Sequence, residues 1–123
     1  MIKGVGTDIC EIARISAALS RRPALAQRIL TANEYAQFSD AKQPERFLAK
    51  RFAAKEAISK ALGTGIGRGV SWHHIELSKA VTGQPIVQLS EGAQTALLSL
   101  GGEACLLSYS DEQHYVVAFA VVQ

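Results

Sequence analysis

The segment from Glu45 to Gly69, ERFLAKRFAAKEAISKALGTGIGRG, constrains this chain more than any other. From Glu45 to Leu62 it has no internal proline or glycine, which predicts one long helix with Pro44 suited to its first turn and Gly63 to its end. On a helical wheel Phe47, Ala54, Ile58, Ala61 and Leu62 share one side, the expected core stripe. Glu56 and Lys60 lie opposite, one turn apart, with Ala49 and Ala53 beside them, so small side chains leave room for another group to approach. Arg51 and Lys55 interrupt the edge of the stripe, which a helix with only packing to do would avoid. The plain alternative is a solvated helix whose Glu56–Lys60 pair is worth roughly a few tenths of a kcal/mol.

The loop GTGIGRG that follows alternates glycine with other residues. Such a loop lets backbone N–H groups approach an anion, and Arg68 adds charge. It lacks the Walker pattern and follows a helix C-terminus, so the favourable field of a helix N-terminus is missing. A flexible turn is the other reading.

Around this helix the chain reads as α+β. A short strand is expected at Ile2–Gly6, leaving its sheet at Thr7-Asp8, then a helix from Ile9 on the spacing of Ile12, Ile15 and Leu19. Pro23 interrupts it, and Ala24–Leu30 predicts a second short helix. Thr31 with Glu34 three residues on is a capping box for a third, to about Phe38. Beyond the glycine loop, WHHIELS and IVQLS predict two strands joined by KAVTGQP, and Ser90 caps a helix reaching Leu100. ACLLSYS and YVVAFAVV are the last two strands. Helices grouped together and strands arriving in adjacent pairs imply a largely antiparallel sheet packed against the long central helix and the shorter ones.

The 123 residues amount to one domain, residues 1–123, long enough to bury a core without disulfides. A net charge of +2 with 7% aromatic residues argues against a nucleic-acid-binding protein. No apolar run approaches a membrane span, and no signal segment opens the chain. Cys10 and Cys105 have no metal-ligand spacing and read as reduced, buried residues, which favours the cytoplasm.

Asp8 has two readings: an N-cap for the first helix, or a carboxylate for Mg²⁺, which takes one or two protein acids and fills its remaining positions with water and phosphate oxygens. With Glu56 it would suffice if the fold joins strand end and helix face. Arg14, Arg21, Arg22 and Arg28 concentrate on the first helices, where arginine suits docking of an acidic protein. His73 and His74, adjacent in an expected strand, face opposite ways and cannot share a metal. His114 reads as a solvated turn residue.

Two segments, GVGTDICEIARI and RFLAKRFAAKEAISKALGTGI, closely resemble the signature segments of the bacterial holo-acyl-carrier-protein synthases, a family of 4'-phosphopantetheinyl transferases. The likeness extends across the chain, including GQP at Gly83–Pro85 and the closing SDEQHYVVAFAVV. The resemblance implies transfer of the phosphopantetheine arm of coenzyme A to a serine of apo acyl carrier protein, with Mg²⁺, in a homotrimer with active sites between subunits. By motif, Asp8 and Glu56 match the metal-binding acids and Lys60 the lysine of K-E-A-x-x-x-K. Arg46, Arg51, Gly63, Thr64 and Gly65 match positions near the coenzyme, with Pro85 in a segment supplied by a neighbouring subunit. Arg14, Arg21, Arg22 and Arg28 match the face that receives the carrier protein. Ile86 stands where relatives often carry a basic residue, and Tyr109 where many carry histidine. The resemblance leaves open whether Glu56, Lys60 or water is the general base. The alternatives are a broad-specificity transferase, usually two such halves in one chain, and a non-catalytic module docking an acidic protein.

Overall fold

A computed structural model describes residues Met1–Gln123. In chain order the elements are β1 (Gly4–Glu11), α1 (Ile12–Arg21), α2 (Leu25–Ile29), α3 (Ala32–Asp40), α4 (Pro44–Ala61), a 3₁₀ turn at Trp72–His74, β2 (Ile75–Lys79), β3 (Pro85–Leu89), α5 (Glu91–Ser99), β4 (Cys105–Asp111) and β5 (Tyr115–Val122). All strand pairs are antiparallel, as the α+β reading requires, but they form two sheets: β1-β5-β4 and the hairpin β2-β3.

Helix α4 is the centre of the molecule. It packs against β1 and β5 on one side and against α1, α2 and α3 on others. The wheel assigned Ala49 and Ala53 to the side away from the core, yet both are fully buried together with Leu48, Ala54, Ala57 and Ile58. The correction follows from the layers: a helix enclosed by a sheet and by other helices has two apolar faces rather than one stripe. The room left by the alanines is taken up by β1. Gly4 and Gly6 have no Cβ to separate strand from helix, and their backbones press on the carbonyl oxygens of Ala61 and Ala57.

β1 is longer than expected and continues to Glu11, pairing Asp8 with Ala118 and Glu11 with Tyr115 of β5. Asp8 therefore lies mid-strand and caps no helix; the residue before α1 is Glu11, which makes no side-chain cap bond. Ile9, read as helical, belongs to the strand because β5 supplies a partner along its whole length. The capping box at Thr31 and Glu34 is present in both directions, at 3.3 Å and 2.9 Å.

Arg51 and Lys55, at the edge of the apolar stripe, are both buried. Lys55 Nζ donates to Glu34 Oε1 (2.6 Å), Ile29 O (2.7 Å) and Trp72 O (3.1 Å). Glu34 Oε2 accepts from the Leu77 backbone N–H, and Arg51 Nε lies 3.5 Å from it. One carboxylate thus joins α3, α4 and β2. Burial lowers the Lys55 pKa, with Glu34 opposing the shift. His73 and His74 lie in the 3₁₀ turn, where Nδ1 of His74 accepts the Ser71 N–H in a local cap, and not in a strand.

Candidate active site

Asp8 and Lys60 meet across the β1–α4 contact. Lys60 Nζ donates to Asp8 Oδ1 at 3.2 Å and to the Thr7 carbonyl at 3.0 Å, rather than pairing with Glu56 along the helix. Asp8 Oδ2 is buried without a hydrogen-bond partner. Glu56, one turn before Lys60, has its pKa raised by burial first and then by the charge of Asp8, against the pull of Lys60 and Arg14. Asp8, Glu56, Lys60 and Arg14 therefore share one electrostatic site, though they come from β1, α1 and α4.

The donor set suits a hard cation. Two carboxylates converge, one with an orphaned buried oxygen, and no third His, Cys, Asp or Glu joins them. That fits the one or two protein acids Mg²⁺ takes when substrate phosphates supply other oxygens, and not a closed zinc site.

The remaining predicted residues are distributed around this centre. Arg46 Nη1 donates to Asp111 Oδ2 (2.7 Å) and to Glu112 O (2.8 Å), and Nη2 to Gln113 O (3.1 Å), fastening the β4–β5 turn to α4. Burial opposes ionisation of Asp111, but the Arg46 hydrogen bond and the Lys50 charge prevail and lower its pKa. Arg51 is turned inward, toward Glu34, Gln37 and the face of Phe47. Arg14 reaches over the Phe52 ring, 5.8 Å from its centroid. Arg21 and Arg22 border a surface groove with Ala18 and Leu25, while Arg28 is exposed on α2. Pro85 opens β3 beside the exposed turn that carries Gly83 at φ 89°. Tyr109 shares a rung with Asp8, both pairing with Ala118 from opposite sides.

The glycine loop is built differently from the anion cradle that its pattern suggests. The N–H groups of Gly63, Thr64 and Gly65 already donate to the Lys60 and Ser59 carbonyls, closing the end of α4. Gly67 and Val70 then exchange two hydrogen bonds around Arg68 and Gly69, both at positive φ, a tight two-residue turn. A groove of about 370 Å³ lies between this loop and α5, lined by Thr64, Arg68, Thr95 and Ser99 among others. Asp8, Glu56 and Lys60 line none of the grooves of the single chain. Sequence reasoning missed the buried Glu34; its place in the capping box was the only signal.

The family model of the 4'-phosphopantetheinyl transferase superfamily matches residues 4–120 of this chain. Holo-[acyl-carrier-protein] synthase of Shewanella halifaxensis is 53% identical over 132 residues, covering 100% of this chain and 99% of that protein. The crystal structure of holo-[acyl-carrier-protein] synthase from Neisseria meningitidis superposes with a TM-score of 0.93 at 41% identity, covering 100% and 99% of the two chains. The Bacillus anthracis synthase, solved in complex with CoA (3',5'-ADP), gives a TM-score of 0.84 at 39% identity, with 99% and 96% covered. This chain belongs to the holo-acyl-carrier-protein synthase family.

Proposed function

We propose that this chain transfers the 4'-phosphopantetheine arm of coenzyme A to a serine of apo acyl carrier protein, giving holo carrier protein and adenosine 3',5'-bisphosphate in fatty-acid biosynthesis. The observation that carries the reading is the meeting of Asp8, Glu56 and Lys60 across the β1–α4 contact, in a chain whose relatives are synthases of this type.

The serine oxygen attacks the phosphorus that bears the pantetheine arm, and the pyrophosphate P–O bond to the departing bisphosphate breaks. Glu56, Lys60 and water are the groups placed to take the serine proton. Lys60, held by Asp8 and the Thr7 carbonyl, is aimed at charge growing on the phosphate oxygens. Asp8 and Glu56 would hold Mg²⁺, which supplies neutralisation of the pyrophosphate when bound. Arg14, Arg21, Arg22 and Arg28 give an acidic carrier protein a cationic face at the edge of this site. Arg46 and Arg51 act near the coenzyme by holding the β4–β5 turn and α3 against α4. The loop Gly63-Thr64-Gly65 and Pro85 complete the coenzyme's surroundings.

The active form in this reading is a homotrimer. Val5, Ile9, Leu106, Val117 and Phe119 lie exposed on the face of the β1-β5-β4 sheet turned away from α4, an apolar surface suited to burial against a second copy. The half-buried Asp8–Glu56 pair with exposed Lys60 lies outside every groove of one chain, which suits a site completed by a neighbour. No helix is long and apolar enough to cross a membrane, and both cysteines are free, in keeping with work in the cytoplasm.

The test is a mass spectrum of apo acyl carrier protein after incubation with this protein, coenzyme A and Mg²⁺, with and without a chelator. A gain of one phosphopantetheine, lost with the chelator, is expected. Binding of the carrier protein without any mass gain would favour a docking module instead.

A further inference from the structure

Gly6 lies two residues from Asp8 on the same face of β1, against the turn of α4 that carries Glu56 and Lys60. A Cβ at Gly6 would collide with the Ala57 carbonyl oxygen, and would stand 2.6 Å from the Ala61 nitrogen and 3.0 Å from Lys60 Cβ. Backbone atoms cannot yield as a side-chain tip can, so strand and helix would have to separate. Residues of β1 on this face advance about 6.8 Å per pair, and four residues of α4 advance about 6.0 Å. The two ladders therefore stay nearly in step. Gly4 meets Ala61 and Gly6 meets Ala57, four residues apart on α4, and Asp8 follows on the same face of β1 within reach of Lys60. Lys60 bridges the contact to both Thr7 O and Asp8 Oδ1, at distances that leave little slack.

We propose that Gly6 is a positioning residue for the transfer reaction: by letting the backbone of β1 rest on that of α4, it fixes the spacing of Asp8 from Glu56 and Lys60. The proposal rests on the transferase reading above. Gly4 provides an internal comparison. It makes the same kind of contact, with the Ala61 carbonyl, but two residues farther from Asp8 and nearer the strand end.

The experiment compares Gly6→Ala and Gly4→Ala with the parent protein, each normalised to its folded fraction by circular dichroism. Readouts are kcat, KM for the carrier protein, and Mn²⁺ affinity by electron paramagnetic resonance with coenzyme A present. Gly6→Ala is expected to lose about 100-fold in kcat, the scale of an ångström of misplacement, with carrier-protein KM unchanged and weaker Mn²⁺ binding. Gly4→Ala is expected to keep near-parental kcat and Mn²⁺ binding. Should Gly6→Ala not fold, Ala57→Val inserts the wedge from the helix side, at the residue that Gly6 meets, and is expected to show the same kcat and Mn²⁺ losses. Equal kcat losses in Gly6→Ala and Gly4→Ala, or unchanged Mn²⁺ binding in the folded wedge variant, would overturn the proposal while the transferase reading stands. A parent protein that transfers nothing would overturn the reading, and the proposal with it.

Discussion

Lys60 reaches across from α4 to β1 and rests its ammonium 3.2 Å from Asp8 Oδ1, leaving the second carboxylate oxygen buried and unpaired. The lysine side chain is 50% exposed, so this ion pair is worth about 0–1 kcal/mol to the fold. Lys60→Met should therefore shift Tm very little while lowering kcat by about 100- to 1,000-fold, the scale of one lost donor to a developing oxyanion. Thermal melts and transfer kinetics on one preparation check both halves.

Glu56→Gln should abolish transfer and make the protein more stable at neutral pH. Burial and Asp8 raise the Glu56 pKa in the folded state, so the folded protein keeps this proton at pH values where the unfolded chain has released it. Stability is consequently lost as pH rises from the ordinary glutamate range through the raised folded value, and the deficit persists above it. Denaturation of parent and variant across that window should show curves that converge in acid and separate toward neutrality.

Lys55→Met removes the ammonium from a wholly buried pair and leaves the Glu34 carboxylate without its main counter-charge. A loss of about 3–5 kcal/mol is expected. Glu34→Gln combined with Lys55→Met should recover only part of it, because the orphaned carboxylate is removed but buried Arg51 loses its carboxylate partner. Urea titrations of the single and double variants measure the difference.

The outer face of the three-stranded sheet offers a test of assembly. Val117→Lys with Phe119→Lys places two charges at its centre, where both parent residues are exposed in the single chain. If the proposed trimer forms through this face, the parent sediments as a trimer and the variant as a monomer, with transfer lost in parallel. A trimer that persists would put the interface elsewhere.

Arg21→Glu should weaken carrier-protein binding and flatten its dependence on salt, with KM for coenzyme A unchanged. Titration at two ionic strengths distinguishes this from a general loss of fold.

The sequence made α4 and the Glu56–Lys60 turn legible, because period, Pro44 and Gly63 all describe a local event. The strand and capping-box signals of β5 and α3 were local in the same sense. Misread features depended on distant partners. Asp8 kept a helix-cap reading beside its metal reading until β5, far along the chain, extended β1 to Glu11. Arg51 and Lys55 stood out at the edge of the apolar stripe without a reason until Glu34 entered the core to receive them. In each case a charge or a polar group found its partner in another element, which a periodicity cannot encode.

The pairing of β1 with β5 also sets an order of events during synthesis. Thr7 is bonded to Ala118, 111 residues later, so the strand bearing Asp8 leaves the ribosome long before its neighbour exists. Glu56 and Lys60 can already be helical by then, while their third member hangs on an unpaired segment. A nascent chain thus carries no finished centre, and cannot engage coenzyme A productively until β5 has emerged to close the sheet.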